Sequence, residues 1–250
     1  VMQKAEEAAE KSGDGTMPAF YLALPYILRE RDGAYLRRLT EMLLRAGGFV
    51  QGFLVRSLEG LAWARGVCQE REKCSEQNDG QTAYEIVPDA GLYCFNANAL
   101  AFFKDFSAEV TLPYELNAGE AAHLVRAARG RGVRTSLIVY SRIPMMITAN
   151  CLKKTAGQCS VEKGAKRQLL LKDRRGEAFP VEITCEHCYN ILYNCVPYSL
   201  HGAKKEREKI GADALRYDFT MEDGTQCVRI LEGEFPFTDY TTGHCKRGVE

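Results

Sequence analysis

Short runs rich in β-branched and aromatic residues recur through the first 140 residues, and segments with helical periodicity lie between several of them. That alternation restricts the chain to βα units on a parallel sheet. The runs fall at Phe20–Leu28, Gly52–Leu58, Gly91–Asn96, Ala108–Tyr114 and Thr135–Tyr140. Ala34 to Ala46 puts Leu36, Leu39 and Leu43 on one helical face and stops at Gly47 and Gly48. Asn117 followed by Glu120 reads as an N-cap with a carboxylate three residues on, opening a helix that carries Ala121, Leu124, Val125 and Ala128. Leu137 to Tyr140 is continuously apolar, as a strand covered on both faces should be. Five such strands are too few to close an eight-stranded barrel, so the expected fold is α/β, a partial or incomplete TIM-like barrel. Residues 69 to 83 are polar and read as a surface loop.

Past Asn150 the pattern changes, which divides the chain into a barrel-like part, 1–150, and a cysteine-rich α+β module, 151–250. In the second part Gln168–Lys172 and Phe179–Thr184 read as strands joined by a turn at residues 173 to 176. Cys185–Asn194 is expected to be a short helix, Gly202–Asp213 a second helix, Leu215–Phe219 a strand and residues 222 to 224 a turn.

Net charge is zero, with 33 basic and 33 acidic side chains, yet residues 126 to 175 hold thirteen Lys and Arg against only Glu162 and Asp173. Such a segregated stretch is either a solvated basic face or a surface for phosphates and small anions. No apolar run approaches the roughly 18 residues of a membrane helix, and Val1 to Lys11 is charged and helix-favouring rather than a signal peptide. A cytoplasmic location and no membrane partner follow as expectations. The chain opens at Val1, which gives the further expectation that it is a piece of a longer polypeptide supplying the remaining strands.

Seven of the ten cysteines fall in the last 100 residues, and in a reducing compartment such clustering points to metal or redox chemistry rather than disulfides. Cys185 and Cys188 form a C-x-x-C pair, with Cys151 and Cys159 the nearest thiols to complete four metal ligands: Cys151, Cys159, Cys185 and Cys188 suit either zinc or an iron–sulfur cluster. A thioredoxin-like redox pair is a further reading of the C-x-x-C alone. There is no H-E-x-x-H, G-x-S-x-G or P-loop, and the four histidines are dispersed, so the usual hydrolytic motifs are absent. Parallel α/β folds bind ligands at the carboxyl ends of their strands. Glu115 and Asn117 follow one strand and Arg142 the next, a carboxylate, an amide and a guanidinium able to orient a small anion. The bland alternative is a helix cap at Asn117 and a surface ion pair at Glu115.

Tyr114 to Asn117, Ser141 to Thr148 leading to Cys151, Leu171 to Arg174, Phe179-Pro180, Cys185-x-x-Cys188-Tyr189-Asn190 and the closing Gly243 to Glu250 together resemble the collagenase-like peptidase family numbered thirty-two among those of unknown catalytic type. The resemblance is clearest over residues 109 to 250. It implies a barrel-like α/β fold and the family's peptidase label. It also implies a link to relatives that hydroxylate transfer RNA, ribosomal RNA or quinone precursors without oxygen. Those relatives bind a 4Fe-4S cluster through four cysteines, and the RNA-acting ones draw on prephenate as co-substrate. Cys151, Cys159 and Cys185 match the family's cluster positions. Cys188 departs from the quinone-type pattern, in which another cysteine lies upstream of the first. Long relatives carry two copies of the barrel motifs, and this chain resembles the second. The resemblance therefore gives, as the leading expectation, hydroxylation of RNA bases, with Glu115, Asn117, Arg142, Lys153, Lys154 and Arg174 as substrate-binding candidates. A collagenase-like peptidase and a non-catalytic substrate-binding module are the alternatives.

Overall fold

The computed structural model describes residues 18–45, 50–75, 83–157, 159 and 167–247. Three parallel strands, β1 (Phe20–Ala23), β2 (Val50–Val55) and β3 (Glu85–Pro88), form the first sheet in that order. They are joined by helices α1 (Gly33–Arg45) and α2 (Leu58–Ser75), the crossovers that parallel pairing demands. In the second sheet, β4 (Glu109–Thr111) and β11 (Ala214–Tyr217) flank β5 (Arg134–Ser141) in parallel, and β10 (Tyr198–Ser199) pairs antiparallel with its end. Two more helices, α3 (Ala97–Phe103) and α4 (Ala118–Arg129), carry the chain from β3 to β5. The third sheet is antiparallel, in the order β6 (Pro144–Thr148), β9 (Tyr189–Tyr193), β8 (Ala178–Thr184), β7 (Arg167–Lys172).

One apolar core unites the first two sheets with their helices. Phe53 and Val55 of β2, Leu61 and Ala64 of α2, Leu124 and Val125 of α4, and Val139 of β5 are all buried in it. Gly52 is needed at the β2–β3 ladder, because a Cβ there would stand 2.1 Å from the Glu85 carbonyl oxygen. Residues of six strands, among them Tyr21, Leu54, Val87, Thr111, Ser136 and Leu215, surround a common space of about 530 Å³ that is open to solvent, where Tyr21 and Leu215 stay exposed. β1 and β11 share no ladder across it, and no closed barrel is present among the described residues. No helix among them is long and apolar enough to cross a membrane.

Several elements differ from the sequence-based expectations. The strand expected at Gly91–Asn96 is instead a 3-10 turn, Ala90–Leu92, and a loop; the strand precedes it as β3 and is stopped by Pro88-Asp89. Residues 69 to 75, expected in a loop, continue α2, where Arg71 is buried with its guanidinium 3.9 Å over the Tyr84 ring. The rest of that loop, 76 to 82, lies outside the described residues. Cys185–Asn194 is no helix but a tight turn followed by β9, whose Tyr189, Ile191 and Tyr193 pack together with the period of two that a strand imposes. β6 and helix α7 (Gly224–Leu231) were not foreseen. The division at residue 150 is crossed by β10, β11 and helix α6 (Lys204–Ile210), which return from the second part to pack on β5 and α4.

Candidate functional site

A cavity of about 790 Å³ opens where β1, β2, β5 and β11 end, with β8, β9 and the turn between them forming its far wall. Polar residues placed just past strand ends build a buried charge network here. Arg56 follows β2, Asp89 follows β3, Arg216 sits in β11 and Asp218 lies just beyond it. Asp89 bridges the two arginines, accepting from Arg56 Nε at 3.0 Å and Arg216 Nη1 at 2.8 Å. Arg216 in turn grips Asp218 in bidentate fashion at 2.6 and 2.9 Å. The Arg56 guanidinium also lies 4.5 Å over the Tyr26 ring.

Burial works against every one of these charges, and pairing decides which survive. Burial alone would raise the Asp89 carboxyl, but Arg216 and Arg56 outweigh it and hold it below the usual carboxylate range. Burial pushes Asp218 up against the pull of Arg216, so it is the carboxylate of the network that most readily holds a proton. Tyr26 is pushed up to about 12 by burial, and Tyr114 is raised by burial as well, so both face the cavity as neutral hydroxyls.

The far wall is clamped by His187. Its Nδ1 lies 3.2 Å from Asp32 Oδ1, and its carbonyl accepts from the guanidiniums of Arg29 and Arg31. Asp32 also accepts from the Arg29 backbone N–H at 2.8 Å, which fixes the carboxylate in place. Cys185 and Glu186, on the same turn, line the cavity.

Of the expected site residues, Arg142 lines this cavity, but its Nε donates to Glu222 at 3.1 Å and its Nη1 to the Cys195 carbonyl at 3.3 Å. Two of its three nitrogens are thus engaged within the protein. The three arginines are matched by Asp89, Asp218 and Glu222, so the walls offer directed donors and acceptors rather than a net positive field. Glu115 lines an adjoining cavity of about 180 Å³ that shares Tyr26, Arg56, Tyr114 and Asp218 with the larger one. Asn117 caps α4, its Oδ1 accepting from Gly119 and Glu120 N–H while Glu120 returns a bond to its own N–H. Lys153 and Lys154 sit on the short helix α5 (Leu152–Thr155) just after β6. Arg174 is in the β7–β8 turn, separated from Cys185 by the whole of β8, roughly 20 Å of extended chain.

Three of the four expected ligand cysteines come to one end of the third sheet. β6 ends at Thr148, paired with Asn190, while β8 ends at Thr184, paired with Tyr189. Cys151, Cys185 and Cys188 each lie within a few residues of those pairs. Asn190 reinforces the junction by donating to the Asn150 carbonyl at 2.8 Å. Cys188 has φ of 50°, and its N–H folds back toward the Cys185 carbonyl at 3.4 Å. Cys159 is exposed in the connection after α5. Among the described residues no three His, Cys, Asp or Glu side chains gather closely enough to hold a metal ion. The four cysteines are thus a sulfur donor set brought toward one sheet end in sequence, with side chains that do not converge on one point. Cys68 and Cys94, each pushed up to about 11 by burial, stay protonated and belong to the core.

For hydrolysis the described residues offer little. Ser199 Oγ lies 3.1 Å from His201 Nδ1, but Ser199 is buried and neither lines the main cavity. Arg56, Asp89, Arg216 and Asp218 escaped sequence reasoning. Their one local signal was a charged residue directly after an apolar run, visible at Val55-Arg56 and Pro88-Asp89.

Fold and site together define a mixed α/β protein with a polar cavity at the carboxyl ends of parallel strands, walled by a cysteine-bearing antiparallel sheet. The chain matches no protein-family model and no curated protein.

Proposed function

We propose that this chain is an iron–sulfur-dependent domain that hydroxylates RNA bases without oxygen, built on an incomplete TIM-like barrel and drawing on prephenate as co-substrate. The observation that carries the reading is the position of the C-x-x-C turn: Cys185 lines the same cavity as Arg56, Arg142 and Arg216. A cluster held by Cys151, Cys159, Cys185 and Cys188 supplies one-electron redox chemistry when bound. The protein's own groups then do the rest. Arg56, held by Asp89 through its Nε, presents the rest of its guanidinium to a carboxylate of a small dianion, while Arg216, engaged by Asp89, Thr111 and Asp218, fixes the network behind it. Tyr26 and Tyr114 donate hydrogen bonds from neutral hydroxyls, and Asp218 holds or releases a proton. Lys153 and Lys154, beside the sheet end that carries the thiols, are the candidate contacts to RNA phosphates. A cytoplasmic setting and further strands from a longer polypeptide, filling the gap between β1 and β11, complete the proposal.

The test is anaerobic incubation of reconstituted protein with RNA and prephenate, followed by mass spectrometry of the digested nucleosides. A nucleoside heavier by one oxygen, absent when prephenate is omitted, is expected. Unchanged nucleosides with cleavage of gelatin would replace this reading by the peptidase one.

A further inference from the structure

Only two non-glycine residues among those described have positive φ: Tyr93, which lines the smaller cavity, and Cys188, in the turn whose other residues line the larger one. Tyr93 has φ 53° and ψ 54°, the left-handed conformation that a Cβ disfavours. The backbone around it is over-determined. Asp89 caps the 3-10 turn through the Ala90 N–H, the Tyr93 N–H donates to the Ala90 carbonyl, and the Phe95 N–H donates to the Tyr93 carbonyl at 2.8 Å. Between the two rings Cys94 points inward and is 1% exposed, while Asn96 caps α3 directly afterwards. The outcome is two rings fixed side by side on the outside, their centroids 5.5 Å apart and their planes 4° from parallel. Tyr93 is 55% and Phe95 40% exposed, so the strain presents apolar surface to water instead of burying it.

From this geometry we infer that Tyr93 and Phe95 form a stacking platform for an unpaired nucleobase of single-stranded RNA at the mouth of the smaller cavity. The inference rests on the RNA reading above and gives it a binding element outside the thiol region. A pair of parallel rings extends naturally by one more flat ring, and base stacking on aromatic side chains is tolerant of sequence. Tyr93 lines the smaller cavity together with Arg56, Asp89, Glu115 and Asp218. A base entering there meets both donors and acceptors for its edge, which an apolar protein surface would leave unused. Ile147, 36% exposed on β6, lines the same cavity.

Tyr93→Gly separates the ring from the fold, because glycine adopts the left-handed conformation without strain. Its melting temperature should equal or exceed that of the wild type, while affinity for a labelled single-stranded RNA of mixed sequence should fall about tenfold. Tyr93→Phe should bind as the wild type does, and an oligonucleotide of equal charge made of abasic sites should bind both proteins equally weakly. If Tyr93→Gly binds the intact RNA as tightly as the wild type, or the abasic strand binds as tightly as the intact one, the platform is overturned while the RNA reading stands. If the wild type binds no RNA at all, both fall.

Discussion

Asp89→Ala should lower the stability of the protein by about 3–5 kcal/mol, a large fraction of the total that holds an ordinary domain folded. Two guanidiniums converge on this one carboxylate, whose side chain is 6% exposed, and alanine would leave both without their shared partner. Alanine also strips the cap from the turn that holds Ala90. Glu208→Ala is the control: its pair with Lys204 is exposed on both sides and should contribute only about 0–1 kcal/mol. Denaturant titration of the two variants checks the contrast. Because the folded Asp89 carboxyl is held below its ordinary value, its stabilisation is complete above the usual carboxylate range and disappears as pH falls through the lower, folded value. Acid titration of the wild type should therefore show stability dropping at that end, with a shallower slope in Asp89→Asn.

Glu222→Ala should be nearly as costly, again about 3–5 kcal/mol, for a different reason. The Glu222 side chain is 0% exposed and accepts from the Tyr140 hydroxyl at 2.8 Å, from Arg142, and from the backbone N–H groups of Thr220 and Met221. Removing it strands four donors, and Arg142 is then free to turn toward the cavity or drag water inward. Burial would raise this carboxyl, but the N–H of Thr220, the Tyr140 hydroxyl and the other donors keep it below its ordinary value, so its contribution too is lost on acidification. Glu222→Gln keeps the shape and one acceptor oxygen, but its NH2 opposes either the Tyr140 and Arg142 donors or the two backbone N–H groups, and it should recover less than half of the loss. Chemical denaturation followed by the fluorescence of Trp63, the single tryptophan, reads both.

The features that were legible in the sequence are those fixed by neighbours along the chain. The Asn117 to Glu120 capping box and the β7–β8 hairpin needed only local chemistry, the hairpin being closed by Asp173 Oδ1 accepting from the N–H groups of Arg175 and Glu177. β3 was missed because it is four residues long and ends in proline, while the aromatic residues after it have a stronger strand look. The helical reading of Cys185–Asn194 failed because the C-x-x-C turn and the alternation after it are both short. Arg56, Asp89, Arg216 and Asp218 read singly as ordinary surface charges. Only pairing across 127 positions, from Asp89 to Arg216, makes them a network. Of the thirteen basic residues that form one block in sequence, those that are described do not share one face. Arg129 pairs with Asp213 and Arg134 with Glu85 and Glu109 at the start of β5, while Arg142 lies inside at its end. Likewise, Cys185 and Cys188 announce themselves, but the placement of the segment before Cys151 depends on β6 pairing with β9 far along the chain.

The central claim is that these thiols hold a cluster beside the cavity, and metal analysis after anaerobic reconstitution tests it most directly. The full chain is treated with ferrous iron and sulfide, desalted, and examined for iron, zinc and acid-labile sulfide and by low-temperature electron paramagnetic resonance after reduction. The expected result is about four irons with matching sulfide per chain, lost in Cys151→Ser, Cys185→Ser and Cys188→Ser and retained in Cys68→Ser. A folded protein that takes up no iron, or that holds a single zinc ion on the same cysteines, would contradict it.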